Sequence, residues 1–516
     1  GVGDSVGDDR DPDRVGAWRR GVDAAMDALR TASGAARVMM IGLRFGALIA
    51  ASAAAERDDV SGFVALAPVV SGRFYMRELG ALSRFGRFGD GARDADDAGG
   101  MGVNGFFISD ETQDALKLLD ARKFAHAPAT QTLIVGRNDG AEADLAEKWR
   151  SDGAAVETVA FDGYDAFMDG PTTTVAPADV WRRIVDWCAS APAPTAPAPQ
   201  RHLPATSFGP PSFAGDGWRE DAIQFGTGGR LFGMLARPAE GCARENDVAV
   251  VILNAGRNHH IGWGRGAVEM ARDLAQNGVA SFRIDAAGIG DSPPWPNGPA
   301  EVLYAPEQKD DLKAALDRLN AFGYRRFVLV GSCGGAYLAL QGALADARIA
   351  GFALINLLRF HWGPHDNLAD AMDAAVYRPT ESYVSRLVDP AEWRRILRGE
   401  IAVTGIARAL LGRGVKTIRA IAAERLARIG IGKSETVEAA NWFRTLEARG
   451  VKMRLIYSAE DPGLAELAHY FGPGGRSLRA LCSAEIDVVQ NADHNLSQRN
   501  ARLEAQRLVK ELVKGV

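Results

Sequence analysis

The stretch RRFVLVGSCGGAYLAL, residues 325–340, holds the residue best suited to covalent chemistry: Cys333, at the tip of a glycine turn. Gly331-Ser332-Cys333-Gly334-Gly335 has the form G-x-nucleophile-x-G, in which the glycines let a strand bend sharply into a helix and push the central side chain into the open. A helix start beside the sulfur favours the thiolate, and its first free amides can hold an oxyanion. A thiolate so placed attacks esters and thioesters and forms an acyl-thioester intermediate. The bland alternative is a small cysteine buried in a structural turn.

The partners of such a nucleophile follow it in the order acid, then histidine. Asp461 ends the run KMRLIYSAED, with Glu460 beside it as competitor, and His494 lies in QNADHNLS, after the last apolar run. His494 would take the thiol proton, and Asp461 would hold the imidazole tautomer. An oxyanion hole needs a second amide from an earlier loop. VVILNAGRNHHIGWGRG offers it, with the amide of Ala255 or Gly256 joining that of Gly334. His259, His260 and Trp263 of that loop are candidates to line the substrate pocket; packing of the loop is an equal reading for the two histidines. Adjacent histidines rarely converge on one ion, and the Gly-Pro between His361 and His365 argues against a helix presenting both. No metal site and no cofactor is expected.

These residues need elements to carry them, and each proposed chemical residue falls where an apolar run ends. The runs DVAVVILNAG, VASFRIDAAG, RRFVLVGS, IAGFALINLL, KMRLIYSAED and AEIDVVQNA read as strands, alternating with helical patterns such as GAVEMARDLAQNG and EQKDDLKAALDRLNAFG. Near-continuous apolar strands between helices predict the α/β class, with a mostly parallel sheet covered on both faces. Ligands of such sheets sit beyond the carboxyl ends of the strands.

The Ala/Pro-rich stretch 189–217 predicts an extended linker between a portion at 1–188 and another at 218–516. The two portions share landmarks in the same order: GVGDS and GIGDS, RVMMIGLRFGALIA and RFVLVGSCGGAYLAL, VSGFVALAPVV and IAGFALINLL, QTLIVGRNDG and MRLIYSAEDPG. That order predicts a duplication. The first copy has lost the chemistry: Arg44 takes the nucleophile position, Ala166 stands where His494 lies, and His126 precedes Asp139 and cannot fill the usual order. Arg44 is read either as an anion-gripping group or as a salt-bridged structural one. GVGDS stands at the start of the chain, whereas about seventy residues of the second portion precede GIGDS, so the first copy is expected to lack its early strands and the chain to be truncated from a longer parent.

On these residues the C-terminal portion resembles an α/β-hydrolase over essentially its whole length. LNAGRNHHIGWGRG, FRIDAAGIGDS, GSCGG and ADHNLS resemble the subgroup associated with bacterial exosortase and exopolysaccharide loci, which similarly carries Cys at the elbow. The N-terminal portion resembles the companion type of those loci through GLRFGA and APVVSGRFYMREL. The resemblance implies two hydrolase-like domains and a helical cap at about 360–445, where the elbow-to-acid interval is longer in the second copy than in the first. Within it, residues 394–433 carry ten Lys/Arg against two Glu at helical apolar spacing. Such a face is either merely solvated or suited to an acidic carrier protein, the phosphates of coenzyme A, an anionic polysaccharide or a membrane surface.

Composition bounds the rest. With 47% apolar residues, 24% charged residues and a net charge of -5, the chain has no general reason to bind nucleic acid, and no run is long enough for a membrane span. Four scattered cysteines give no disulfide framework and point to the cytoplasm. The reading is hydrolysis of an ester or thioester through Cys333, His494 and Asp461; acyl transfer and a non-catalytic acyl- or glycan-binding role are the alternatives.

Overall fold

The computed structural model describes residues 2–85, 99–137, 140–170, 172–190, 212–239, 247–299, 301–363, 366–368 and 434–516. The chain divides into two compact units, Gly1–Gly209 and Pro210–Val516.

In the first unit, strands β1 (Val38–Leu43) and β2 (Val60–Leu66) precede a short antiparallel hairpin of β3 (Gly100–Val103) and β4 (Phe106–Ser109). β5 (Gln131–Gly136) and β6 (Ala155–Ala160) follow, and β1-β2-β5-β6 form a parallel sheet in that order. Phe63, Ala65 and Ile134 pack with Leu48 and Trp149 in one core cluster, while Val64, Leu133 and Val135 meet Val180 and Ile184 in another. Alternate residues of each strand thus face opposite layers, as a pleated strand requires.

The second unit is built on nine strands: β7 (Ser212–Gly215), β8 (Trp218–Phe225), β9 (Leu231–Pro238), β10 (Val248–Ile252), β11 (Ala280–Asp285), β12 (Arg326–Ser332), β13 (Ile349–Ile355), β14 (Lys452–Ser458) and β15 (Glu485–Val489). Their order is β15-β14-β13-β12-β10-β11-β9-β8-β7. β10 to β15 run parallel, and β7 to β9 add an antiparallel edge. All five residues of β10 are buried. Val248, Val250 and Ile252 meet the helices Gly266–Gln276 and Arg499–Lys514, while Ala249 and Val251 meet Gln308–Ala321 and Gly334–Ala345. Both faces are covered, which is why these strands read as continuous apolar runs rather than alternating ones.

Two expectations need adjustment. The end of the stretch read as linker forms the edge strand β7, paired antiparallel with β8. Of the expected cap, residues 364–365 and 369–433, including His365 and the basic stretch 394–433, lie outside the described residues. Its last part begins the helix Glu435–Ala448, whose Ala439, Phe443 and Leu446 are fully buried in the main core, against Phe360 and Phe471. That apolar face makes it part of the layer covering the sheet.

Candidate active site

Cys333 stands at the carboxyl end of β12, at φ 55° and ψ −118°, immediately before the helix Gly334–Ala345. A non-glycine residue in the left-handed half of the map is strained, and such strain gathers at working sites. The flanking glycines are needed for close approach: a Cβ on Gly331 would stand 2.1 Å from the Gly335 carbonyl oxygen, and one on Gly335 2.4 Å from the Asn254 carbonyl oxygen. The amide of Cys333 donates to the Ile355 carbonyl (3.0 Å), which ties the turn to β13. The thiol is partly exposed and is not in a disulfide.

His494 and Asp461 arrive from the ends of β15 and β14. The Asp461 carboxylate is 2.6 Å from Nδ1 of His494 and has no exposed side-chain surface. Glu460, its competitor in the sequence, is exposed. The charge that the Cys333 sulfur can carry acts on the His494 ring. Burial disfavours the imidazolium, but the Cys333 sulfur and the Asp461 carboxylate outweigh it and hold the His494 pKa well above its ordinary value. Cys333, Asp461 and His494 thus each follow the end of a strand, β12, β14 and β15, at the carboxyl edge of the sheet.

A positioning pair escaped the sequence reading. Asn356, just past β13 at φ 48° and fully buried, donates through Nδ2 to the His494 carbonyl (2.8 Å) and to the Ser458 hydroxyl (3.0 Å). Its Oδ1 accepts from the Ser458 amide (2.7 Å), and the Ser458 hydroxyl donates to the Asp493 carbonyl (2.7 Å). The signal was a polar residue inside the apolar run IAGFALINLL, where an unpaired amide would be costly.

The oxyanion loop is held by a second buried knot. Asp285 accepts from Asn254 Nδ2 (2.8 Å), the His260 amide (2.8 Å), His260 Nδ1 (2.7 Å) and the Asp291 amide (3.0 Å). Burial would raise the Asp285 pKa, but the bond from His260 and those from Asp291 and Asn254 lower it below the ordinary carboxylate value. A Cβ on Gly290 would meet the Asp285 carboxylate at 2.2 Å, so the glycine of GIGDS serves this knot. Asn254, thus fixed, leads into Ala255 and Gly256. The Gly256 amide nitrogen lies 4.0 Å from where a Cβ on Gly334 would stand, which brings the two proposed oxyanion amides into one neighbourhood. The Ala255 carbonyl accepts from the Asn258 amide (3.1 Å) and closes the turn.

Of the two readings for the histidines of that loop, packing is the one that the hydrogen bonds of His260 favour. The His260 side chain has no exposed surface and is locked on Asp285, so it organises the loop. His259 pairs with Asp291 at 3.1 Å. Trp263 donates to the Ser497 hydroxyl (3.1 Å) and, with both histidines, lines a cavity of about 100 Å³ behind the elbow. His259, His260, Asp285 and Asp291 bring ligand atoms within 4.8 Å of one another. Both Asp285 oxygens already accept two donors each, so this is the donor pattern of a hydrogen-bonded knot rather than of an open cation cage. His361 faces Glu435 at 3.8 Å.

In the first unit, Arg44 follows β1 at φ 52° and ψ −122°, nearly the backbone of Cys333. Its guanidinium pairs with Glu78 at 2.5 Å. Ala166 lies in the short helix Tyr164–Phe167, His126 is exposed, and Asp139 is outside the described residues.

Comparison with known proteins places this geometry. A family model described as "Alpha/beta hydrolase family" matches residues 250–506. Similar solved structures include an esterase of Pyrococcus furiosus at 14% identity, covering 57% of this chain and 90% of the other, with a TM-score of 0.35. A hypothetical protein of Pseudomonas aeruginosa shares 18% identity over 57% of this chain and 99% of its own, at a TM-score of 0.33. An alpha-beta serine hydrolase homologue of Coxiella burnetii shares 14% identity over 55% and 91%, at 0.30. No curated protein matches the chain. With its parallel sheet, the turn that presents Cys333 and the matched residues 250–506, the unit Pro210–Val516 belongs to the alpha/beta hydrolase family.

Proposed function

We propose that the second unit hydrolyses an ester or thioester through an acyl-enzyme on Cys333. The observation that carries this reading is the line from Asp461 through His494 to a strained, partly exposed thiol beside two loop and helix amides. In the proposed cycle the Cys333 sulfur attacks the carbonyl carbon while the carbonyl electron pair moves onto oxygen. His494 holds the thiol proton and delivers it to the leaving alkoxide or thiolate. Water, deprotonated by His494, then releases the acid. A cavity of about 730 Å³ beside Tyr304 has both apolar walls (Leu303, Tyr337, Trp362) and polar ones (Glu301, Lys309, Asp366).

Acyl transfer is the second reading, because a thioester intermediate keeps enough free energy to pass its acyl group to an alcohol or amine. Partitioning between water and added acceptors separates the two. The proposal further holds that the first unit is a non-catalytic copy, its elbow occupied by the Arg44–Glu78 pair, and that the subgroup of exopolysaccharide loci is the setting. The test is turnover of a panel of p-nitrophenyl esters and acyl-thioesters. Cys333→Ala and His494→Ala should each abolish it, and turnover that survives Cys333→Ala would overturn the reading.

A further inference from the structure

Tyr304 has no part in the cycle above, yet the fold spends strain to put it beside the elbow. Its backbone sits at φ 62°, in a region that a bulky side chain enters only under strain. Its ring stacks on Trp362, with centroids 4.0 Å apart and planes 6° from parallel, and Tyr337 meets it edge-on at 5.1 Å. The ring is therefore fixed. A Cβ on Gly334 would stand 3.9 Å from the hydroxyl-bearing carbon of Tyr304 and 4.0 Å from the Gly256 amide nitrogen. The phenol end thus shares the small space flanked by both oxyanion amides.

Tyr304 is only 6% exposed, and among the described residues its hydroxyl makes no hydrogen bond. The rest of the side chain is enclosed, so the hydroxyl is left as its one group open to a partner. Burial, reinforced by the negative charge that Cys333 can carry, pushes the phenol well above its ordinary range, so it stays a donor across working pH.

We infer that Tyr304 is a third oxyanion donor: its hydroxyl hydrogen-bonds the substrate carbonyl oxygen as Cys333 attacks, together with the amides of Gly334 and Gly256. The phenol keeps its proton throughout. As the sulfur–carbon bond forms and the carbonyl electron pair moves onto oxygen, the donated hydrogen bond strengthens, and it relaxes when the leaving group departs with the proton from His494. The hydroxyl also selects for substrates with a carbonyl oxygen at that point, which makes Tyr304 a catalytic residue for acyl groups in particular. This inference rests on the acyl-enzyme reading.

Two reactions of the same thiol test it. Acylation by p-nitrophenyl butyrate passes through an oxyanion, whereas alkylation by iodoacetamide does not. Tyr304→Phe, which keeps the stacked ring, should slow acylation of Cys333 by about 100- to 1000-fold, the scale of one lost oxyanion donor, and leave alkylation within about twofold of wild type, since a reaction without an oxyanion makes no use of the donor. Equal acylation rates in the variant and wild type would overturn the inference alone. An equal fall in both reactions would overturn it too, by assigning Tyr304 to packing or to the thiol. Alkylation without any acylation in the wild type would overturn the acyl-enzyme reading, and the inference with it.

Discussion

His494 is held by Asp461 at Nδ1 and by Asn356 at its carbonyl, and it feels the charge that the Cys333 sulfur can carry. These influences carry measurable consequences. Cys333→Ala should drop the His494 pKa toward the ordinary imidazole value in an NMR titration; an unchanged pKa would contradict the pairing. The sign follows from linkage. A folded pKa raised above about 6.5 gives stability that is complete below that pH and lost as pH rises through the folded value. The wild type should therefore lose more stability than Cys333→Ala across that window. Asn356→Ala should lower kcat by about tenfold or more with KM little changed, because His494 is displaced while the pocket stays. It should also cost about 1–3 kcal/mol by stranding the Ser458 amide, read by urea denaturation. Cys333, Asp461 and His494 were proposed from the sequence because the glycine turn marks the first and the order acid, then histidine, at the ends of apolar runs marks the others, however far apart they lie. Asn356, Asp285 and Tyr304 were not, because their partners lie up to 138 residues away and only the sheet brings them together.

The helix Gly463–Phe471 follows the Asp461 turn and carries a buried acid that the proposed chemistry does not use. Burial pushes Glu466 from 4.5 up to about 7; Arg359 at 3.6 Å and the Phe360 amide at 3.1 Å oppose this, while Glu435 and Asp366 add to it. A raised carboxyl pKa means that its share of stability is complete below about pH 4.5 and lost as pH rises through about 7. Glu466→Gln should keep the Phe360 bond and escape that loss. The variant should gain on wild type by up to about 3 kcal/mol between pH 4.5 and 8, measured by unfolding at each pH. A constant difference would contradict the burial account. Periodicity found β10 to β14 because strands buried on both faces are continuous apolar runs; β15, at the sheet edge and largely exposed, was marked by the apolar residues of its run AEIDVVQNA. The edge strand β7 stayed hidden because its four residues are mostly exposed and follow a Pro-rich stretch. The expected cap at about 360–445 overlaps the helix Glu435–Ala448 because the length of the elbow-to-acid interval does not say where an insertion ends.

At the scale of the molecule, the second unit has its hydrolase sheet closed by a buried ionic group. Glu220 of β8 pairs with Arg283 of β11 (2.7 Å) and Arg272 of the helix Gly266–Gln276 (2.6 Å), and neither Glu220 nor Arg283 has exposed side-chain surface. Glu220→Ala leaves those cations without this carboxylate. It should destabilise the unit by about 3–5 kcal/mol, seen as a lower midpoint in denaturation; a midpoint equal to wild type would show that the group carries no such weight. The first unit repeats the elbow backbone at Arg44 without a thiol, so the account assigns covalent chemistry to the second unit alone. The most direct test is the intact mass of the protein quenched during reaction with an acyl-thioester, followed by peptide mapping. The account predicts a single acyl adduct on Cys333, accumulating in His494→Ala or at short times and absent from Cys333→Ala. An adduct on another residue, or turnover with no adduct and no dependence on Cys333, would contradict it.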